Sequence, residues 1–282
     1  MPTTYTHWHF GKECIDMLPD ALKKTVNDHR DLYDIGVHGP DIFFYDLFHK
    51  EVCSYATPAH FIPGKEFFEN ACTVYEQHSE KEEMMAYLLG FLSHYVLDST
   101  CHGYVERKME VSGISHNMIE AEYDGHLIRQ DGRAVNLVDR TESLKPSLYN
   151  ARIVSYFFPY NAKAIYRTLR WQKILLGAVI NCVSDFKRKA LSYALMKLDK
   201  KDYRDLIVQK EEMEECRDSN LRLDKLSKVA LKRYPVLLEN LLRYMDGEEE
   251  LDPYFDHDFG PWRNYKKIRI LSYEDELKYK IK

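Results

Sequence analysis

A long apolar segment dominates the pattern of polar and apolar positions in this chain. Residues 81–101 begin with a polar stretch, EKEE, and continue as MMAYLLGFLSHYVL. A helix of that composition is apolar nearly all round, which predicts a buried position in the centre of a domain. Placing His94 and Asp98 in such a helix costs free energy unless something satisfies them, and a metal ion would do so.

Other segments have the periodicity and punctuation of helices. Helices are predicted at 7–25 (ending near Pro19 or continuing past it), from Pro63 through KEFFENACTVYEQHSE, at 115–130 with Ser115 as N-cap, at 150–198 as one or two helices, and at 227–246. We expect turns or connections at 36–41 and 131–150, and a buried aromatic helical turn at 42–50. Together these segments predict an all-α fold with roughly eight to ten helices.

Two segments have more than one interpretation. Residues 199–226 are highly charged and predict either a solvated helical surface or a mobile segment, and they contain the only candidate linker, at 199–225. The segment FDHDFGPW at 255–262 could close over a site, although a surface turn is the default. Without a strong boundary or an internal repeat, we expect a single domain over 1–282, with candidate metal ligands within 1–125 and C-terminal helices within 150–282.

Composition limits the class of protein. Apolar residues make up 45% of the chain and glycine and proline number only 12 and 10, which indicates a globular helical protein. The net charge of −5 predicts no general attraction to nucleic acid or anionic membranes, although it leaves room for a local basic patch. The apolar stretch 174–183 is too short to span a bilayer. With no recognisable signal peptide and six scattered cysteines, we expect a cytoplasmic location.

The spacing of histidines and carboxylates carries the chemistry. His94-x3-Asp98-x3-His102 is followed by His116-x3-Glu120. A helix advances about 100° per residue, so a spacing of four places each set along one stripe. Imidazole and carboxylate are the ligands that zinc takes in catalytic sites. A metal-dependent hydrolase is therefore the leading interpretation.

Other polar residues extend this constellation. His7 lies in THWHFG, Asp41 in GPD, and His60 between Pro58 and Pro63. His38, beside Asp41, and Asp124, on the stripe of Glu120, are candidates to support ligands by hydrogen bonds, and Asp124 could instead carry charge at the helix end. Four further histidines, His9, His49, His78 and His126, are interpreted as surface or supporting groups.

Together, the motifs THWHFG, GPD, His60, HYVLDSTCH and HNMIE resemble the zinc-dependent phospholipase C family, whose fold is shared with nucleases of the S1/P1 type. The resemblance covers roughly the first 125 residues. It implies that Asp41, His60, His94 and Asp98 hold one zinc ion, and that His102, His116 and Glu120 hold a second. His7 and the bridging Asp98 would hold a third. In secreted members an N-terminal Trp completes that site, whereas this chain begins Met1-Pro2-Thr3. The alternatives are then an empty third site or one completed by water or by His9.

The chemistry expected of two or three zinc ions is hydrolysis of a phosphodiester. A metal-activated hydroxide would attack phosphorus while a second metal stabilises the leaving oxygen. Asp41 could orient or deprotonate the water by family analogy, and Glu120 could handle the proton equally well. The expected partner is a lipid or small-molecule phosphoester, and the sequence does not indicate an oligomeric state.

Three alternative functions remain open. A single-strand nuclease would need aromatic stacking platforms and a basic groove, and no clear Lys/Arg stripe lies near the ligands. A non-catalytic, metal-stabilised helical binding protein would have a closed metal shell. An HD-type phosphohydrolase needs an adjacent His-Asp pair, and the only pair in that order, His257-Asp258, lies far from the other ligands in the sequence.

Overall fold

The computed structural model describes residues 4–46, 48–180, 184–197, 201–262 and 264–281, and all regular secondary structure in them is helical. The α-helices are α1 (Thr4–Asp16), α2 (Asp20–Asp28), α3 (Arg30–Gly36), α4 (Lys50–Cys53), α5 (Ala56–Ala59), α6 (Gly64–Gln77), α7 (Lys81–Ser112), α8 (His116–Gln130), α9 (Leu148–Ser155), α10 (Ala162–Gln172), α11 (Asp185–Lys197), α12 (Lys201–Asp205), α13 (Arg217–Met245) and α14 (Tyr273–Lys278). The predicted all-α class is confirmed. The helices outnumber the eight to ten expected because several are only one or two turns long.

Shorter helical segments connect these elements. The 3-10 segments are Gly39–Tyr45, Val135–Leu137, Glu214–Cys216, Pro253–Asp256 and Tyr265–Lys267, and Lys173–Ile180 is π-helical. Among the described residues, no helix combines the length and hydrophobicity needed to cross a bilayer.

Helix α7 is the centre of the fold, as its apolar sequence predicts. Every residue from Ala86 to Ser99 is buried, and α1, α2, α3, α6, α8, α9 and α13 all contact this helix. It continues well past residue 101, where the prediction ended it, and stops at Gly113, whose positive φ of 73° closes the helix with a hydrogen bond to the Met109 carbonyl. The next helix, α8, begins as predicted, because the Ser115 hydroxyl accepts a hydrogen bond from the Met118 amide.

Helix α3 packs against α7 backbone to backbone. A Cβ added at Gly36 would lie 2.3 Å from the Tyr87 carbonyl oxygen, and one added at Gly90 would lie 2.3 Å from that of Tyr33. Only glycine permits this approach. The close crossing brings the 3-10 segment that follows α3, with Asp41, over the middle of α7.

The predicted first helix at 7–25 is two helices, α1 and α2, separated at Leu18 and Pro19. Pro19 precedes the first residue of α2, where its missing amide costs nothing, while it would have interrupted a continuous helix. Of the two predictions for the first helix, that it ends near Pro19 is confirmed and that it continues past Pro19 is not.

The interpretation of residues 199–226 as a solvated helical surface or a mobile segment is wrong in part: residues 209–212, 214 and 215 are exposed, but the segments on either side of them are partly or fully buried. Residues 205–208 are buried, and α13 starts at Arg217, ten residues before the predicted 227. The buried Lys108 ammonium lies 2.7 Å from the Asp218 carboxylate. In a sequence, charged residues that form buried ion pairs cannot be distinguished from charged residues that face solvent.

Two predictions about aromatic segments are also wrong in part. The segment 255–262 was expected by default to be a surface turn, but Phe255 and Phe259 are fully buried. In the segment 42–50, Phe43 and Tyr45 are buried as expected, but Phe48 is 69% exposed. Leu47 of that segment lies outside the described residues.

Candidate metal centre

Side chains from five separate parts of the chain meet beside α7. Three groups of nitrogen and oxygen donors have all their ligating atoms within 4.8 Å of one another: His7, Asp41 and His94; His60, His94 and Asp98; and His102, His116 and Glu120. The structure therefore brings together all eight residues that the sequence proposed as ligands.

Each element presents its ligand for a local reason. Helix α7 carries His94, Asp98 and His102 four residues apart, so the three point to one side. Helix α8 presents its first residue, His116, and, one turn later, Glu120. Of the remaining three, His7 lies in α1 and Asp41 in the first turn of the 3-10 segment Gly39–Tyr45, and His60 is the residue that follows α5.

Asp98 stands between the imidazoles. Its Oδ1 lies 3.2 Å from His7 Nε2, and its Oδ2 lies 3.2 Å from His94 Nε2 and 3.8 Å from His60 Nε2. One oxygen thus faces each side of the cluster. Burial opposes ionisation of this carboxyl, but the nearby His102 and His94 hold its pKa well below the usual value.

The donors at the middle of the cluster fit a metal ion. Both oxygens of Asp98, Nε2 of His94 and both ring nitrogens of His7 are buried without a hydrogen-bond partner. Leaving such groups buried and unsatisfied costs free energy, which coordination to a cation would recover. Imidazole nitrogens and carboxylate oxygens are the donor types that zinc prefers.

Asp41 is a carboxylate at neutral pH. Its Oδ1 lies 2.9 Å from His60 Nε2, and its Oδ2 lies 3.9 Å from His7 Nε2. Burial would raise the pKa of Asp41, but the hydrogen bond from His60 and the charge of His94 lower it to about 2.

The third donor group lies at the junction of α7 and α8. His116 Nε2 is 2.8 Å from Glu120 Oε1, and His102 Nε2 is 3.6 Å from the same oxygen. Burial would lower the pKa of His116, but Glu120 and Glu106 raise it. The His116 side chain is 23% exposed, whereas those of Glu120 and His102 are 2% and 5% exposed.

Four of the candidate histidine ligands have their second ring nitrogen occupied by a hydrogen bond. Their Nδ1 atoms lie 3.2 Å from the Val37 carbonyl (His94), 2.7 Å from the Ala56 carbonyl (His60), 2.5 Å from the Phe259 carbonyl (His102) and 2.8 Å from Glu106 Oε1 (His116). With Nδ1 held in this way, Nε2 is the atom that each ring turns toward the cluster and would offer to a cation. This arrangement orients the rings before any ligand binds.

None of these four supporting groups was found from the sequence. Glu106 continues the spacing of four from His94 through His102, so the pattern itself contained the signal. Phe259 contributes a backbone carbonyl from 157 residues away, which no side-chain pattern reveals. Its ring also packs near those of His60 and His94, with centroids 5.9 and 5.8 Å apart.

The two residues proposed to support ligands are placed differently. His38 is buried, its Nε2 has no hydrogen-bond partner, and burial followed by repulsion from His7 lowers its pKa to about 3. Asp124 accepts hydrogen bonds from the Thr6 amide at 2.8 Å and the Thr6 hydroxyl at 2.7 Å, and pairs with Arg140 at 3.3 Å. Asp124 therefore fixes the first turn of α1, and through that backbone the position of His7.

His9 faces away from the cluster. Its ring nitrogens lie 3.9 Å from Glu13 and 3.6 Å from Asp131, and the side chain is a quarter exposed. Two residues along a helix correspond to about 200°, so His7 and His9 point to opposite sides of α1. The interpretation that involves Met1-Pro2-Thr3 lies outside the described residues.

A cavity of about 430 Å³ opens next to His116. Its walls are mostly aromatic and aliphatic, from Phe44, Tyr45, Met109, Tyr203 and Leu206. His116 is the most exposed of the clustered ligands, so this cavity adjoins the donor groups on their most open side.

A family model described as zinc dependent phospholipase C matches residues 6–234. The match includes all eight clustered residues and ends before Phe259. No curated protein and no solved structure matches the chain significantly.

Proposed function

This chain belongs to the zinc-dependent phospholipase C family, and from that premise we propose that it is a zinc-dependent phosphoesterase that hydrolyses a phosphodiester, with a phospholipid as the substrate class. The observation that carries the proposal is the set of buried donor atoms without hydrogen-bond partners, on His7, His94 and Asp98. Such a set is costly in a protein that binds no cation.

The proposed ligand sets are those that the family implies, and the distances between donors support most of each set. Asp41, His60, His94 and Asp98 would hold one zinc ion: the last three form one donor group, and Asp41 lies 2.9 Å from His60. His102, His116 and Glu120, which form another donor group, would hold a second zinc ion. His7 would bind a third together with Asp98, whose Oδ1 faces it at 3.2 Å. The support is that Asp98 turns its two oxygens toward different imidazoles, as a bridging carboxylate does.

When bound, zinc lowers the pKa of coordinated water toward neutrality and stabilises the charge on the leaving oxygen. Residues of the chain would position the attacking water for this reaction. Asp41 is ionised at neutral pH, so a carboxylate oxygen of Asp41 that is not bound to zinc would accept a hydrogen bond from the attacking water. We therefore propose that it orients the water.

Glu120 is the alternative group for proton transfer. Its Oε1 lies 2.8 Å from Nε2 of His116, and His116 lines the cavity. Its pKa is lowered although burial opposes this, so Glu120 is also ionised at neutral pH and could carry a proton from the water to the leaving oxygen.

The cavity favours a lipid ester over a nucleic acid. The described residues that line it include no Lys or Arg, whereas a nuclease groove needs cations along the phosphate backbone. Its open connection to His116 also favours catalysis over a closed structural metal shell. The alternatives of a nuclease and of a non-catalytic binding protein make different predictions in the test below.

The test uses zinc-loaded protein on three substrates: a soluble chromogenic phosphodiester, phosphatidylcholine and single-stranded DNA. We expect hydrolysis of the phosphodiester and the lipid, two or three zinc ions per chain, and loss of activity in His94→Ala. The matched control, His9→Ala, should keep both zinc and activity, because His9 lies on the far side of α1. Equal activity of His94→Ala and wild type would refute the proposed site, and cleavage of DNA alone would favour the nuclease.

We extend the proposal to organisation and location. A single domain over 1–282 is supported by the packing of α13 on α7 and of the segment around Phe255 on Tyr95, whose rings are stacked 5.6 Å apart. A reducing compartment such as the cytoplasm is supported by the free thiols of Cys14, Cys53, Cys72, Cys101 and Cys216. Limited proteolysis and cell fractionation test these two points.

A further inference from the structure

Helix α11 carries apolar side chains on opposite faces. Leu191 and Leu195 pack inward against a small core formed by residues such as Leu176 and Leu206. On the other side Phe186, Tyr193 and Met196 are 83%, 59% and 52% exposed. Phe186 and Tyr193 are seven positions apart, so they share one face. Single exposed apolar residues are ordinary, but several on one helix face indicate an interaction surface.

This helix is also basic in an acidic protein. Its sequence, DFKRKALSYALMK, contains four basic residues and one acidic residue, a net charge of +3, whereas the whole chain has −5. Lys189 and Lys197 lie exposed on the apolar outer side, and the Lys197 ammonium lies 5.5 Å from the centre of the Tyr193 ring. We call Phe186, Lys189, Tyr193, Met196 and Lys197 the outer face of α11. Its charge is complementary to an anionic partner.

The outer face continues toward the metal centre. Tyr193 and Met196 line an open groove of about 510 Å³ whose other wall includes Met118 of α8, and α8 begins at His116. The segment 203–207 separates this groove from the cavity at His116. Arg204 and Ile207 line the groove, and Tyr203 and Leu206 line the cavity.

We propose that the outer face of α11 docks the protein on a bilayer that contains anionic phospholipid, and so holds the opening at His116 against the lipid surface. Exposed aromatic and aliphatic groups flanked by long cationic side chains are typical of helices that lie in the plane of a membrane interface. Lysine stems extend along apolar surface while their ammonium groups reach phosphate. This inference rests on the proposed function, since it supplies the phosphoester from a membrane.

The test measures co-sedimentation of zinc-loaded protein with vesicles of phosphatidylcholine alone and of an equimolar mixture with phosphatidylglycerol. We expect binding to the mixed vesicles that weakens with salt. Lys189→Glu/Lys197→Glu should weaken binding on the order of tenfold or more, and Phe186→Ala should weaken it as well. The matched controls lie on α13: Lys228→Glu/Lys232→Glu reverses two exposed lysines, and Val236→Ala truncates a side chain that is 59% exposed. Both should bind like wild type.

A second measurement separates this proposal from the proposed function. All α11 variants should hydrolyse the soluble phosphodiester at the wild-type rate, because none of the changed residues belongs to the metal cluster, and that rate also reports correct folding. Hydrolysis without vesicle binding by wild type would overturn the docking proposal and leave the function standing. Vesicle binding that depends on α11, without hydrolysis of any ester, would support the docking proposal and refute the proposed function. If the α11 and α13 variants bind equally, or polyglutamate is bound and vesicles are not, the bilayer is not the partner of this face.

Discussion

Oδ1 of Asp98 lies 3.2 Å from His7 Nε2 across the interface between α7 and α1. Both side chains are buried and neither atom has a hydrogen-bond partner. The other oxygen of Asp98 faces His94 and His60. The carboxylate therefore connects the two sides of the donor cluster, and its loss should affect more than one ligand set.

Asp98→Asn tests this role. The amide removes the negative charge and one of the two acceptor oxygens, so we expect the purified protein to contain less zinc. Phosphodiesterase activity should fall on the order of a thousandfold, because the metal contributes several kcal/mol to the transition state. Zinc content by atomic absorption and a steady-state assay measure the two effects.

Asp46→Asn is the control for that substitution. Asp46 is equally buried, but it pairs with Arg167 at 2.7 Å and with His49 at 2.9 Å. The control should lower the free energy of unfolding and keep the zinc. Full zinc content in Asp98→Asn would contradict the bridging role.

Glu106 is predicted to act through His116. Its carboxylate accepts the Nδ1 proton at 2.8 Å, which fixes the orientation of the ring and makes the imidazole a stronger ligand through Nε2. Glu106→Gln should weaken zinc affinity by about 10- to 100-fold, measured by competition with a chelator. Glu110→Gln, one turn further along α7, changes a residue bound to Tyr265 and Arg107 and should have wild-type affinity. Equal affinities of the two variants would show that Glu106 does not support His116.

The sequence predicted the parts of the site that depend on local spacing. His94, Asp98, His102, His116 and Glu120 follow from helical periodicity alone. The convergence of His7, Asp41 and His60 on the same helix depends on tertiary packing, including the contact between Gly36 and α7, and was accessible only through the family resemblance.

The missed features have physical reasons of the same kind. The Phe259 carbonyl has no side-chain signature, and the burial of 205–208 depends on partners distant in the chain. Asp218, in the first turn of α13, pairs with Lys108. In the sequence, where this pairing is not visible, both charged residues indicate a solvent-exposed position.

His126 should make stability depend on pH. Burial alone would lower its pKa, but Asp224 at 3.0 Å and Glu212 at 3.5 Å raise it above the unfolded value. A raised folded pKa stabilises the protein fully below the unfolded value of about 6.5, and this contribution is lost as the pH rises through the folded pKa. His126→Gln should therefore lower the free energy of unfolding at mildly acidic pH and change it little at alkaline pH.

Urea unfolding at several pH values measures this effect as the difference between variant and wild type, so that other titrating groups cancel. Asp224→Asn removes the main partner of His126, so the free energy of unfolding of this variant should depend less on pH over the same range. A constant difference across the range would contradict the assigned ion pair.

The position of the His94 ring should require a glycine at residue 39. Its φ of +49° is one that other residues adopt at a cost, and an added Cβ would lie 2.3 Å from Cδ2 of the His94 ring. Gly113 has a similar φ of +73°, but an added Cβ there would meet nothing within 4 Å. Gly113→Ala therefore isolates the backbone strain, about 1–2 kcal/mol. Gly39→Ala adds the collision with the ring, so it should lower the free energy of unfolding further and should also weaken zinc binding, which Gly113→Ala leaves unchanged. Denaturant unfolding and chelator competition on both variants measure the difference, and zinc affinity that is the same in the two would mean that the Gly39 turn does not fix the His94 ring.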